Sequence, residues 1–378
     1  MELGTRTLVA VIHELTEQLA GIDKIYARRR ILITGHTGFK GSWLTFWLTR
    51  LGAEVTGFSL PPTTDPSLFR ALGLEKQVTH IEGDVRDLDA LRTAWQDAKP
   101  ELVLHLAAQS LVTESYRDPL GTVATNVIGT TNLLELARTS NAPEGMLLVT
   151  SDKCYENNES SHPYSETDPM GGHDVYSMTK GAAELVISSY RRSFFAKGGS
   201  DADVAIASAR AGNVIGGGDW APERLVPDCI RALRSGETVK LRNPDAVRPW
   251  QHVLEPLSGY LGLGARLLSS DRSTRRQASE AWNFGPAEEN TSSVRELVES
   301  IIDAWGGGSW RAESSAADFH EAATLRLSIE KAAKLLHWHP RWNLQKTVEL
   351  TVGWYRAFYA GDDMTAWCAS QIDEYSRA

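Results

Sequence analysis

Three cysteines in 378 residues, Cys154, Cys229 and Cys368, show no CxxC spacing and no even framework. That excludes a disulfide scaffold and points to reduced thiols in a cytoplasmic protein. A long apolar run is also missing. The longest early one, residues 8–12, is followed by Glu14 and Glu17, so it is too short for a membrane span and poorly suited to a secretory leader. There is no basic excess: 39 Lys and Arg stand against 48 Asp and Glu, a formal charge of −9. A general nucleic-acid binder is thereby disfavoured, because its affinity comes largely from basic surface. The histidines, among them His36, His105, His173 and His252, lack any HxxxH-type spacing, and no metal is expected.

What is present is a 42% apolar chain with room for two domains. Leu8, Ile12, Leu15, Leu19 and Ile22 recur at steps of three and four, which predicts an amphipathic helix within an N-terminal extension, residues 1–30. From Arg30 the pattern alternates. Strands are expected at 31–34, 54–60, 79–84, 101–108, 146–150 and 203–210, and helices at 41–52, 88–97, within 119–140 and at 175–194. Short apolar strands joined by helical crossovers imply a parallel sheet covered on both faces, and a doubly wound α/β Rossmann domain over 31–212 is the natural solution. After Gly212 the alternation is lost. Residues 213–378 read as a smaller C-terminal substrate-binding domain, with a possible return to the sheet near 281–286. The polar stretches 269–280 and 305–318 read as loops, the first a solvated loop despite its arginines; a helix is expected at 293–305.

The stretch ILITGHTGFKG sets Gly35, Gly38 and Gly41 between a strand and the mouth of a helix. Glycines permit a tight turn and a close backbone approach, and the helix N-terminus attracts a pyrophosphate. Thr37, Phe39 and Lys40 complete this candidate dinucleotide cradle. The spacing GxxGxxG is that of the extended short-chain dehydrogenases/reductases. Their pattern places Asp84 and Val85 near the adenine, and Leu106, Ala107 and Ala108 beside the nicotinamide half. The second strand ends in Ser59 where an acid would normally hold a ribose 2′-hydroxyl. Lys40 could tolerate a 2′-phosphate, so the local chemistry leaves NAD and NADP both open.

YSMTK supplies Tyr176 and Lys180, four residues apart and so on one helix face. In this family the tyrosine is the acid/base on the carbinol oxygen, and the lysine binds the nicotinamide ribose and lowers the tyrosine pKa. Ser151, 25 residues upstream after the fifth strand, fits the family's third hydroxyl. Asp152 and Lys153 follow it directly and exceed what hydride transfer needs. On a regular strand they would face opposite ways, so both can act only where the strand has ended.

The segments TGHTGFKGSWL, SDKCY, PMGGHDVYSMTKGAAEL, RAGNVIGGGDW and RPWQHVLEPLSGYL together resemble the CDP-glucose 4,6-dehydratases, a group of extended short-chain dehydrogenases/reductases, from about residue 30 to about 360. The resemblance implies bound NAD, CDP-glucose as substrate and a 4-keto-6-deoxy sugar as product for deoxysugar biosynthesis. It makes Tyr176 the base at C4, Lys153 the base at C5 and Asp152 the acid at the departing C6 hydroxyl. Asp152 and Lys153 would have to react neutral, so burial must outweigh their mutual pairing. The resemblance also implies a sugar-nucleotide site at Gln109, Arg210, Asn213, Arg248 and Gln251, and a homodimer formed by the helices near 119–140 and 175–194. Lys240 and Arg242 are as well read as solvated strand residues as nucleobase contacts. Three alternatives stay open: an NDP-sugar 4-epimerase, which has no use for Asp152 and Lys153; a 4,6-dehydratase of another nucleotide sugar; and a non-catalytic NAD(H)-binding scaffold, which has no use for the Ser-Tyr-Lys set.

Overall fold

The computed structural model describes residues 21–158, 162–195, 203–287, 290–313 and 325–378. Most of the helix expected from the N-terminal apolar periodicity lies outside these. Only its last member, Ile22, falls within a described helix, α1 (Ile22–Tyr26).

The alternating part of the chain forms β1 (Arg30–Thr34), α2 (Phe39–Arg50), β2 (Glu54–Ser59), β3 (Thr79–Glu82), α3 (Leu88–Ala98) and β4 (Leu102–His105). It continues through α4 (Val112–Arg117), α5 (Pro119–Val123), α6 (Gly129–Thr139), β5 (Gly145–Val149), α7 (Val175–Tyr190) and β6 (Ala205–Arg210). A later strand, β11 (Ala281–Asn283), pairs parallel with β6, where the pattern had allowed a return to the sheet. The seven strands lie in the order β11-β6-β5-β4-β1-β2-β3, all pairs parallel. Strand order therefore reverses between β1 and β4, and in such a sheet ligands bind beyond the carboxyl ends of the strands at that point.

The inner strands are buried on both faces because their side chains alternate into two cores, whereas the edge strand β3 is only half-buried. Leu32, Val103, Met146, Leu148 and Ile206 pack with Trp95, Leu133, Leu134 and Ile187 of α3, α6 and α7. Ile31, Ile33, Leu102, Leu104 and Leu147 face the other way, toward Trp43, Leu44 and Trp47 of α2 and Leu254, Leu257, Leu261 and Leu267. Burying one such side chain contributes roughly 1.5–3 kcal/mol, so the two layers dominate the stability of the sheet. The second layer includes α9 (Leu254–Leu267), so this late segment covers the sheet. Tyr26 of α1 donates its hydroxyl to Leu261 O at 2.7 Å and ties the N-terminal side to α9.

Between and beyond these elements lie β7 (Val214–Ile215), α8 (Leu225–Arg234), β8 (Val239–Leu241), β9 (Val247–Pro249) and β10 (Gln251–His252). They are followed by α10 (Arg272–Ala278), β12 (Thr291–Ser293), α11 (Val294–Trp305), β13 (Trp310–Ala312), α12 (Glu330–Leu336), α13 (Leu344–Ala360) and α14 (Met364–Arg377). Three two-stranded pairs, β10 with β7, β12 with β9 and β13 with β8, organise this region. No described helix is long and apolar enough to cross a membrane.

Three local expectations are corrected. Residues 269–280 are not all loop, because Asp271 caps α10 by accepting from Ser273 N and Thr274 N. Within α10, Arg275 donates to Glu144 O at 2.7 Å and braces the start of β5 rather than reaching solvent. Residues 305–318 are likewise not all loop, since 310–312 form β13; residues 314–318 lie outside the described part. The helix expected within 119–140 is interrupted by a π-helical turn at Ala124–Ile128. That wider turn carries Asn126, which donates to Gln109 O and to Thr179 Oγ1 and accepts from Gln109 N, holding the loop after β4 against α7.

Candidate active site

At the β1–β4 switch point the two backbones touch. Gly35 has φ +76°, and a Cβ there would lie 2.6 Å from Ala107 N. A Cβ on Gly41 would lie 2.0 Å from Gly35 O, so α2 can start this close to the turn only with glycine there. Gly38, the N-cap of α2, has no side chain to accept from the first-turn amides of the helix, which leaves them open to an anion. These features fit a dinucleotide pyrophosphate.

The flanking residues are arranged as follows. Leu106 N bonds Thr34 O at 3.0 Å, and Ala107 N bonds Thr34 Oγ1. Ala108 continues this segment beyond β4. Thr37 Oγ1 and Ser59 Oγ lie 2.8 Å apart, and Thr37 also donates to Leu60 O. Asp84 accepts from the backbone and guanidinium of Arg86, which holds its carboxyl below the usual range. Val85 follows with its side chain buried in the same core as Leu32 and Phe58. Phe39 turns toward Gly216, where an added Cβ would meet its ring at 3.3 Å.

Lys40 is also corrected. It does not extend toward Ser59, where a 2′-phosphate would lie. Its amine sits 6.0 Å from the Tyr260 ring centroid and has Asp152, Arg224 and Lys180 as electrostatic neighbours; burial pushes it down to about 8. A lysine in the glycine-rich turn thus reaches toward Asp152 and Lys180.

The strand β5 ends at Val149, as simultaneous use of Asp152 and Lys153 required. Ser151, extended at φ −163°, caps a 3-10 turn over Asp152–Cys154 and accepts from Lys153 N. Its hydroxyl donates to Asp152 Oδ1 at 2.9 Å, and Asn213 Nδ2 lies 3.5 Å from Asp152 Oδ2. Gly212 makes this approach possible, since a Cβ there would lie 1.8 Å from Asp152 Oδ2. Asp152 is 4% exposed and Lys153 is half-buried. The expected pairing between them is absent: among the described residues no hydrogen bond or ion pair joins the two side chains, because the turn directs the carboxylate to Ser151 and Asn213 instead.

Tyr176 stands in the first turn of α7, which begins at Asp174 accepting from Ser177 N. The Ser151 hydroxyl adjoins the phenol and favours its ionised form, and Lys180 Nζ lies 5.9 Å from the Tyr176 ring centroid. The expected lowering of the phenol is outweighed. Burial pushes Tyr176 up to about 12 and Lys180 down to about 8. Sequence, spacing and fold thus bring Ser151, Asp152, Lys153, Tyr176 and Lys180 to one place.

The substrate-side expectations fare unevenly. Arg210 is 4% exposed and its guanidinium is bound to Glu184 at 2.8 Å and to Tyr155 Oη at 2.6 Å, so it braces the site and is not open to a diphosphate. Gln251 is 1% exposed and donates to Gly212 O and Phe284 O, pinning the Asn213 turn to the end of β11. Gln109 spends its side-chain amide on Leu111 of its own loop and on Thr122 of α5. Asn213 does reach the Asp152 carboxylate. Arg248, 9% exposed on β9, donates to Val247 O. Arg224 was missed. It bonds Asp219 at 2.8 Å and Ser110 Oγ at 2.9 Å and is an electrostatic neighbour of Tyr176 and Lys40. Its only signal was its place just after the GGGDW run, in a stretch that reads as an ordinary loop.

The chain is 45% identical over 360 residues to the CDP-glucose 4,6-dehydratase of Salmonella typhimurium, covering 94% of this chain and 99% of that protein. It is 26% identical over 345 residues to the UDP-glucose 4-epimerase of Halalkalibacterium halodurans, covering 86% and 95%. The fold matches that of DesIV, a dTDP-glucose 4,6-dehydratase from Streptomyces venezuelae solved with NAD and TYD bound, at a TM-score of 0.74, 23% identity and coverage of 89% of this chain and 99% of that one. A profile described as GDP-mannose 4,6 dehydratase matches residues 32–351, and the chain belongs to that family.

Proposed function

We propose that this protein is a hydro-lyase that converts CDP-D-glucose to CDP-4-keto-6-deoxy-D-glucose. The observation that carries this reading is the turn after β5, which sets Asp152 and Lys153 beside the Ser151–Tyr176–Lys180 group although hydride transfer alone needs neither. The 45% identity to a CDP-glucose 4,6-dehydratase supports the nucleotide.

NAD fits the turn at Gly35, Gly38 and Gly41, and when bound it supplies the hydride acceptor at C4 and the hydride donor at C6. The chain's own groups handle the protons. Tyr176 takes the C4 hydroxyl proton, Ser151 holds the same oxygen, and Lys180 favours the phenolate by its charge. Once C4 is a ketone the C5 proton is acidic, and Lys153 removes it. Asp152, kept off Lys153 by Ser151 and Asn213, protonates the C6 hydroxyl as it leaves as water. A proton returned to C5 completes the product, so the net change is loss of one water. Asn213 and Arg248 are assigned to the sugar nucleotide.

Exposed Leu120 (81%), Ile128 (48%), Met178 (40%) and Leu185 (62%) lie on α5, the π-helical turn and α7, which suits a homodimer packed through those helices. The three cysteines are free and buried, which suits the cytoplasm.

The test is incubation with NAD and, separately, CDP-, dTDP-, UDP- and GDP-glucose, with products followed by NMR and mass spectrometry. Loss of water and a new C6 methyl signal from CDP-glucose alone is expected. A C4 epimer formed without loss of water would overturn the reading.

A further inference from the structure

A dehydration carried out by these groups leaves the protein one proton out of place. Tyr176 gains the C4 hydroxyl proton in the first step, and Asp152 gives one to the C6 hydroxyl in the second. Lys153 hands back the proton it took from C5. Counted over a turnover, Tyr176 has gained a proton and Asp152 has lost one, so a path between them is needed. Solvent is a poor path: Ser151, Asp152 and Tyr176 are 5%, 4% and 7% exposed, before any sugar covers them.

Ser151 touches both ends. Its hydroxyl donates to Asp152 Oδ1 at 2.9 Å and adjoins the Tyr176 phenol, and Asp152 and Tyr176 are electrostatic neighbours. Lys153 N donates to the same serine oxygen at 3.2 Å, which fixes it over the 3-10 turn. A serine oxygen has one proton and two acceptor lone pairs. Asp152 takes the proton, Lys153 N takes one lone pair, and the second is left for a proton arriving from Tyr176. Both Asp152 oxygens face donors, Ser151 Oγ and, at 3.5 Å, Asn213 Nδ2, which suits a carboxylate with no proton of its own. Such a group acts as an acid only when a proton is delivered to it.

Resting on the dehydratase reading, we propose that Ser151 is a proton relay: it carries the proton taken from the C4 hydroxyl on to Asp152, so that this proton leaves in the water formed at C6. The bonds balance. In the first step the substrate O–H at C4 breaks and a Tyr176 Oη–H forms. During elimination that Oη–H breaks as a new Ser151 Oγ–H forms, and the original Ser151 O–H breaks as Asp152 Oδ1–H forms. Asp152 gives its proton to the C6 oxygen as the C6–O bond breaks. Tyr176 and Asp152 end ionised, as they began, and Ser151 ends as a neutral hydroxyl. The transfer runs downhill overall. Burial holds the phenol proton up to about 12, but a departing hydroxide binds one more tightly still, since bulk water ionises only near about 15.7.

The experiment follows single turnovers of the full-length protein with NAD and limiting CDP-glucose, for wild type, Ser151→Ala and Ser151→Thr, with folding checked by thermal melts. In Ser151→Ala, loss of one hydrogen bond to the C4 oxygen should slow C4 oxidation by about tenfold at most. Water loss should slow by roughly 10² or more, as loss of a general acid does. Absorbance of reduced cofactor should therefore build up, and deuterium from D2O should enter C5 while the C6 hydroxyl stays in place. Ser151→Thr, which keeps the hydroxyl, should restore water loss to within about tenfold of wild type. In wild type, the rate of water loss in H2O–D2O mixtures should bow below a straight line, because more than one proton moves together. A Ser151→Ala protein that loses water at the wild-type rate once C4 is oxidised, or a straight line for wild type, overturns the relay and leaves the dehydratase reading standing. The wild-type line decides the matter where Ser151→Ala does not fold. A wild-type protein that dehydrates no sugar nucleotide overturns the dehydratase reading and the relay with it.

Discussion

Glu184 and Arg210 meet at 2.8 Å with 4% of each side chain exposed, directly beneath the turn that carries Ser151 and Asp152. Thr150 and Ser208 also donate to the carboxylate, and Tyr155 shares the guanidinium. Burial opposes the Glu184 charge, but Arg210 and the hydroxyls win and hold its carboxyl below the usual range. Removing one partner leaves the other charged in the interior. Arg210→Met should therefore cost about 3–5 kcal/mol in urea unfolding, and Glu184→Gln added to it should recover part of the loss. Weakened CDP binding with unchanged stability would restore Arg210 to the substrate.

Tyr176→Phe should lower kcat by roughly 10²–10⁴ with the fold intact, as loss of a general base does. Lys180, pushed down to about 8, is charged below that pH and neutral above it. Turnover that depends on its charge should fall as pH rises through about 8. Lys180→Arg, charged throughout, should remove that limb from the pH–rate profile if any activity is retained.

Asp152 and Lys153 should separate when measured one step at a time. Lys153→Met should still oxidise C4, seen as transient absorbance of reduced cofactor, yet incorporate no solvent deuterium at C5. Asp152→Asn should keep C5 exchange while water loss slows by roughly 10² or more. Mass spectrometry of sugar recovered from D2O checks both. Loss of C4 oxidation in either variant would instead make that residue part of the first step.

Glu255 links α9 to the C-terminal region. It accepts from Arg341 N, from Trp342 N at 2.8 Å and from Tyr375 Oη at 2.6 Å, while burial raises its carboxyl to about 7. A carboxyl raised on folding stabilises the fold below its unfolded value, and that contribution is lost as pH rises toward 7. Between about pH 4.5 and 7 the Glu255 contribution to stability should decline with rising pH, whereas in Glu255→Gln this decline should be absent. Urea midpoints across that window read it directly.

Leu120→Asp with Leu185→Asp places charge on the apolar faces of α5 and α7. On the proposed homodimer, sedimentation velocity should show a dimer for the unmodified protein and a monomer for this variant, with near-native melting of each subunit.

Residues close in sequence settled much of this protein before any folding. Alternating apolar runs specified β1 to β6 and their helices, because strand and helix periods are local properties. The glycine spacing marked the turn at Gly35, and four-residue spacing placed Tyr176 and Lys180 on one face of α7. Ser151–Asp152–Lys153 stood out because an acid and an amine at a strand end need a reason. Only the tertiary structure decided which partner each polar group takes. Arg210 went to Glu184, Gln251 to backbone carbonyls, Gln109 to Thr122 of α5 and Asp152 to Ser151 and Asn213, while Lys40 reached inward and Arg224 joined the site. Charge and hydrogen-bond partners are chosen by distance in space, and elements 26 to more than 100 residues apart meet only when the sheet has closed. The π-helical turn at Asn126 has the same origin, since its partners Gln109 and Thr179 lie on other elements.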